Sequence, residues 1–392
     1  MAGEKRKDSN GRILKTGETQ RPNGTYMYRY KDATRQTCWA YAPTLKELRD
    51  KEEAIQRDKL EGIQNRSSKM TVAQLIERFR AIDAGVRRTT ARSRKYLWRV
   101  INREPFAQMQ IKDVRQSNAK ALLLHFSKDL GYTSGTVSII HSVLKQAFEI
   151  AVQDDYIRKN PFNFKTSSIV NKCSVTKDAL APEQQHELLE FMKEGTCTRK
   201  WYSEIVILHE TGVRVSELCG ITFDDVDLDE RCLRINKQLM IEENGTRFIN
   251  RTKSKSGERM IPLTDAAVRA FQDVISRRPK LDREIEIDGH TGFIFLNRNK
   301  QPKVCRDYER FLKSTVIAYN KCHDTPLPHI TPHMLRHTFI TNSYNAGLDL
   351  KSLQVVAGHS DIKITLDVYT HADFNRVRDE FMKVTNGHPQ GD

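Results

Sequence analysis

No helical or alternating apolar period runs through residues 165–177, a lysine-, serine- and threonine-rich stretch lying between two apolar regions. One continuous hydrophobic core therefore cannot span the chain. Asn160-Pro161-Phe162-Asn163 closes the region before it and Ala181-Pro182-Glu183 opens the region after it. A second polar break, Gln64-Asn-Arg-Ser-Ser-Lys69, interrupts the front part. The 392 residues are enough for two or three domains of ordinary size. The breaks predict a module over 1–66, a domain over 69–165, a linker over 166–178 and a larger domain over 179–385.

Charge follows the same division. Residues 1–68 hold fifteen Lys or Arg against ten Asp or Glu, residues 69–170 hold eighteen against eight, and residues 171–392 hold thirty-two of each. The net +15 thus belongs wholly to the front of the chain. Such an excess favours a polyanion, nucleic acid above all, because each neutralised phosphate releases counterions. Membrane partners are not expected: no run of about 18 apolar residues exists, and the charged N-terminus lacks a signal-peptide core. A cytoplasmic protein, nucleoid-associated when bound to DNA, is the expectation. Seven cysteines without a C-x-x-C spacing read as reduced thiols, and Cys322-His323 with His329 is too few ligands for a metal.

Within the first region, residues 25–30 and 37–42 alternate and are rich in aromatics, which predicts two antiparallel strands. Thr44 is placed to cap a helix from Leu45 to about Leu60, with Glu47 as its capping-box partner. A ββα-like module follows, whose Arg29 and Lys31 are candidates for reaching base edges or phosphates. Beyond the break, four sets recur at helical spacing: Val72, Leu75, Ile76 and Phe79; Tyr96, Leu97, Val100 and Ile101; Leu122, Leu123 and Phe126; and Val137, Ile140, Leu144, Ala147, Phe148 and Ala151. They predict a helical bundle. Arg87, Arg88, Arg92, Arg94, Lys95 and Arg99 crowd its second helix with few acids nearby, which marks that helix for phosphate contact.

The last region reads as helices over 183–193 and 202–211 and from Val215, strands over 231–242, 246–253 and 259–262, then helices from Asp265 onward. Asn244-Gly245 is a strong hairpin turn. The fold class is multidomain and mainly α with small β-sheets, the last domain being of mixed α+β type. This region also carries four short strings in order: Thr211-Gly-Val-Arg-Val-Ser-Glu-Leu218, His333-Met-Leu-Arg-His-Thr338, Gly358-His359-Ser360 and Tyr369-Thr370-His371. Two guanidiniums, two imidazoles and a phenol suit an anion that is held while a nucleophile attacks it.

Together these strings resemble the tyrosine recombinases, the phage-type integrases, over about residues 66–385. The resemblance implies a helical core-binding domain and a catalytic domain that cut and rejoin DNA through a 3′-phosphotyrosyl intermediate. It implies Arg214 and Arg336 on the scissile phosphate, His333 as general base, His359 as a second phosphate-contacting histidine and Tyr369 as nucleophile. Lys255 is implied as general acid, with Lys253 a competitor in Lys253-Ser-Lys-Ser-Gly-Glu-Arg-Met-Ile-Pro262. The chemistry is consistent with the residue types. Only about one tyrosine in a thousand is ionised at pH 7, so positive groups must gather on the phosphate. Arginine does this with a fork that never loses its proton.

His359 and Tyr369 lie ten residues apart, where the family more often has nine, and the Tyr-Thr-His-Ala context carries that assignment. Gly11-Arg-Ile-Leu-Lys-Thr-Gly-Glu18 and the aromatic strand after it are similar to integrases of conjugative transposons, whose extra N-terminal domain binds arm sites. The implied function is integration and excision of a mobile element, with no cofactor and no metal. The implied partners are double-stranded DNA at core and arm sites, further protomers forming a dimer to tetramer on DNA, and an excisionase or host DNA-bending protein. A type IB topoisomerase-like enzyme, a Xer-like resolvase and a non-catalytic DNA-binding protein are the alternatives. The apolar stripe Phe374, Val377, Phe381 and Met382 would pack either on its own domain or on a neighbour.

Overall fold

The computed structural model describes residues 6–31, 37–60, 69–82, 88–169, 179–251 and 257–359. The chain divides into two compact units, Met1–Val175 and Thr176–Asp392.

The first unit opens with a three-stranded antiparallel sheet, β1 (Glu18–Gln20), β2 (Tyr26–Lys31) and β3 (Thr37–Ala42), in that order. Helix α1 (Leu45–Leu60) completes it, and Tyr26, Ala42, Leu45 and Leu48 form the small core. The Glu47 amide donates to Thr44 Oγ1 at 3.3 Å, capping α1 as its sequence predicts. Strand β1 goes beyond the two-stranded expectation. It is short and polar, and an ion pair holds it: Glu18 is fully buried, receiving Arg49 Nε at 3.0 Å and the Lys15 amide at 2.6 Å. Alternation in sequence cannot reveal such a strand.

Four helices follow: α2 (Val72–Ile82), α3 (Arg88–Asn102), α4 (Gln116–Leu124) and α5 (Ser134–Gln153). All the expected core positions of α2, α4 and α5 are buried, Phe126 from a π-helical turn that extends α4. Helix α3 departs in one place. Tyr96 is half exposed and Trp98 takes the core position, its ring edge-on to Phe79 at 5.8 Å. Trp98 lies three residues before Ile101 on the buried face, whereas Tyr96 sits about 100° round the helix from Leu97.

The second unit begins with helices α6 (Pro182–Glu194), α7 (Arg199–Thr211) and α8 (Val215–Cys219). Five strands follow: β4 (Val226–Asp227), β5 (Cys232–Ile235), β6 (Lys237–Ile241), β7 (Arg247–Arg251) and β8 (Arg259–Pro262). Helices α9 (Asp265–Arg277), α10 (Cys305–Cys322), α11 (Pro332–Asn345) and α12 (Leu350–Ala357) complete the described part. The strand expected over 231–242 is in fact two, because β5 joins the sheet β4-β5-β8 while β6 pairs with β7. Asn236 marks the break, where its amide donates to Asp225 Oδ1 at 3.2 Å. The Asn244-Gly245 turn closes the β6–β7 hairpin with Gly245 at φ +89°, as the dipeptide predicts. Leu208, Val213, Leu218, Phe271, Phe295, Leu312 and Leu335 are among the core residues that fix α7, α8 and α11.

Candidate active site

Three helix ends meet in the second unit. Helix α7 stops at Gly212, whose left-handed φ of +59° turns the chain so that Arg214 caps α8. A side chain is excluded there twice over, since a Cβ on Gly212 would lie 2.1 Å from the Phe339 ring. Helix α11 starts at Thr331, whose Oγ1 accepts the Met334 amide at 3.2 Å, with Pro332 in its first turn. Spacings of three and four residues then place His333, Arg336 and His337 on one face. Helix α12 ends at Gly358, again left-handed at φ +64°, which delivers His359.

The last carbonyls of α12 each receive an arginine. Arg259 Nε donates to Val356 O at 2.7 Å, Arg336 Nη2 to Ala357 O, and Arg214 Nη2 to Gly358 O at 3.3 Å. Helix carbonyls at this end lack intrahelical partners and carry partial negative charge, so cations are favoured here. The other nitrogen of Arg336 binds Gly212 O at 2.7 Å, tying α11 to the α7–α8 corner. Glu217 supplies the compensating carboxylate: Arg214 Nη1 reaches it at 2.8 Å and Arg259 Nη2 at 2.8 Å.

These contacts set the titration of the site. Burial alone would raise Glu217, but the hydrogen bond and charge of Arg259, with Arg214 behind it, hold it at about 2. Burial, together with Arg214 and Arg259, lowers Arg336 to about 9. Burial, followed by the charges of Arg336 and Arg214, lowers His359 to about 4, so its imidazole is neutral at pH 7. His333 and His337 share a hydrogen bond between their Nε2 atoms at 3.0 Å, with His333 the more exposed. Arg336 is 2% exposed and the Arg214 side chain 36% exposed, so Arg214 is the fork that faces outward.

Of the residues selected from sequence, Arg214, Arg336 and His359 come together, with His333 one turn from Arg336. Lys255, its competitor Lys253 and Tyr369 lie outside the described residues, as does Arg87. Arg88 begins α3, and Arg92, Lys95 and Arg99 are exposed on it. Arg94 instead folds back, donating to Gln146 Oε1 at 2.9 Å and lying over the Phe79 ring at 5.4 Å. Arg29 and Lys31 are exposed on β2, and Arg29 pairs across the sheet with Trp39, itself 52% exposed. Sequence reasoning gave no role to Glu217 or Arg259. A carboxylate three residues after Arg214, at the third position of α8, was the available signal.

Residues 178–376 match the phage integrase family, and residues 2–59 match the DNA binding domain of Tn916 integrase. The transposase from transposon Tn916 of Enterococcus faecalis is 40% identical over 394 residues, covering 97% of each protein. The tyrosine recombinase XerC of Bacillus pumilus is 28% identical over 279 residues, which is 71% of this chain and 81% of that protein. Among solved structures, the Tn1549 transposon integrase in complex with circular intermediate DNA matches with a TM-score of 0.74 at 36% identity, covering 80% of this chain and all of that one.

Proposed function

The chain belongs to the phage integrase family, and on that premise we propose that it is a site-specific tyrosine recombinase that integrates and excises a mobile element. The observation that carries the reading is the convergence of Arg214, Arg259 and Arg336 beside the neutral His359, a site built for one phosphodiester. In this reading the Tyr369 oxygen attacks phosphorus and passes its proton to His333. The bond to the 5′ oxygen breaks, and Lys255 protonates that oxygen as it leaves. The 3′ end remains as a phosphotyrosine, and a 5′ hydroxyl from the partner strand reverses the step. One ester replaces another, so the cycle needs no external energy source. Arg214 contacts the non-bridging oxygens, Arg336 adds buried charge, and neutral His359 offers a ring N–H.

The same reading assigns core-site DNA to the helical bundle, through Arg92, Lys95 and Arg99, and arm-site DNA to the N-terminal module. The match of residues 2–59 to a DNA binding domain and the exposed Arg29, Lys31 and Trp39 support the second assignment. Assembly of two to four protomers on DNA, helped by an excisionase or a DNA-bending protein, completes it. A nicked suicide duplex that traps the covalent adduct tests the chemistry. The adduct should map to Tyr369 and vanish in Tyr369→Phe with DNA affinity retained. An adduct on another tyrosine, or one still formed by the Phe variant, overturns the assignment.

A further inference from the structure

Residues 252–256 contain both candidate general-acid lysines, and the described residues that flank them in sequence are held in place on each side. On the far side, Arg259 is held by Glu217 and by Val356 O, and its Nη1 also binds Gly257 O at 3.3 Å. On the near side, Arg251 is the last residue of β7 and sits directly opposite Lys237 at the foot of the hairpin. Lys237 is buried, and its ammonium pairs with Asp225.

Around that pair every polar atom is engaged by a neighbour. Lys237 Nζ also donates to Thr222 Oγ1 at 3.3 Å and Asn236 Oδ1 at 3.2 Å. Asp225 Oδ2 accepts the Thr222 amide at 2.8 Å and the Thr222 hydroxyl at 2.7 Å, and Asp225 Oδ1 accepts Asn236 Nδ2 at 3.2 Å. Asp225 precedes β4 and Asn236 separates β5 from β6, so this cluster joins the two sheets at one point. A buried ion pair rarely gains stability over apolar packing, and its directional bonds serve better to fix one arrangement.

We infer that Asp225 and Lys237 are positioning residues for the leaving-group proton transfer: their buried pair sets where the β6–β7 hairpin stands, and through Arg251 the origin of the lysine segment. The inference rests on the reading of Lys255, or Lys253, as general acid. It predicts a defect confined to the step in which the 5′ oxygen needs a proton, with phosphate binding at the arginines intact.

Single-turnover cleavage of two suicide duplexes spanning an element end tests it, one with the natural 5′ oxygen at the scissile position and one with sulfur there. A thiolate leaves without a proton, so sulfur bypasses the general acid. Asp225→Asn and the neutral double variant Asp225→Asn/Lys237→Gln should cleave the oxygen duplex about a hundredfold more slowly and the sulfur duplex within about fivefold of the parent. Lys253→Ala and Lys255→Ala are measured alongside. If one lysine variant is rescued by sulfur and the pair variants lose both substrates equally, or lose neither, the positioning role is wrong. If neither lysine variant is rescued, the general-acid reading falls and takes the inference with it. Should Asp225→Asn fold poorly, the double variant, which leaves no unpaired buried charge, gives the same decision.

Discussion

Replacing Glu217 by glutamine removes the carboxylate that lies between Arg214 and Arg259 while keeping the shape of the side chain. Glu217 is 1% exposed and its carboxyl is held at about 2, against an ordinary 4.5. That depression corresponds to roughly 3 kcal/mol of stability at neutral pH, at about 1.4 kcal/mol per tenfold change in ionisation. The contribution is fully present above pH 4.5, where the unfolded chain is already ionised, and is lost as pH falls toward 2. Glu217→Gln should therefore destabilise the second unit by roughly 3 kcal/mol at pH 7, and the difference from the parent should close between pH 4.5 and 2. A chain of two units does not melt as one, so the assay is native-state hydrogen exchange of peptides from α8 and α12. Comparing parent and variant at each pH cancels the titration of every other group. A variant whose α8 and α12 amides open with the parent's free energy at pH 7 would refute the account of Glu217 as the counter-charge of the site.

Arg214→Lys keeps the charge but loses the fork, so single-turnover cleavage should fall by roughly a hundredfold with DNA affinity retained; a rate within about twofold of the parent makes Arg214 structural. His359 titrates at about 4 instead of 6.5. The unfolded chain then takes up its proton first, so the folded chain loses stability as pH falls from 6.5 to 4. His359→Gln should flatten that part of the stability profile, and an unchanged slope in exchange measurements contradicts its burial in neutral form. Deleting residues 1–66 should spare cleavage of an isolated core site and abolish protection of arm sites, and identical footprints from intact and shortened protein would remove the N-terminal module's DNA role.

Periodicity made the helical bundle legible, because Val137, Ile140, Leu144 and Ala147 announce one buried face without reference to any other part of the chain. Arg214, Arg336 and His359 were legible for a different reason, each sitting in a short local string. What stayed hidden depends on partners far apart in sequence. Arg259 finds Glu217 across 42 residues and Val356 across 97, and no local pattern encodes either contact. The break at Asn236 is hidden in the same way, since Leu233, Ile235, Leu239 and Ile241 keep one alternating phase on either side of Lys237, and the contact that marks the break is made to the distant Asp225. Arg94 looked like its neighbours on α3, yet Gln146 and Phe79 draw it back onto the bundle.

The arginines gathered at the end of α12 would repel one another in an empty site, and the helix itself acts as a resident anion that keeps them assembled. Its carbonyl end carries about half a negative charge and Glu217 a whole one, against three guanidiniums. The remainder is about one and a half positive charges, more than a ground-state phosphodiester with its single negative charge can neutralise. A pentacoordinate phosphorane carries nearly two. A phosphodiester bound as proposed leaves about half a positive charge in the site, so the second negative charge that gathers on the phosphorane meets attraction and not repulsion, a preference wired in before any DNA arrives.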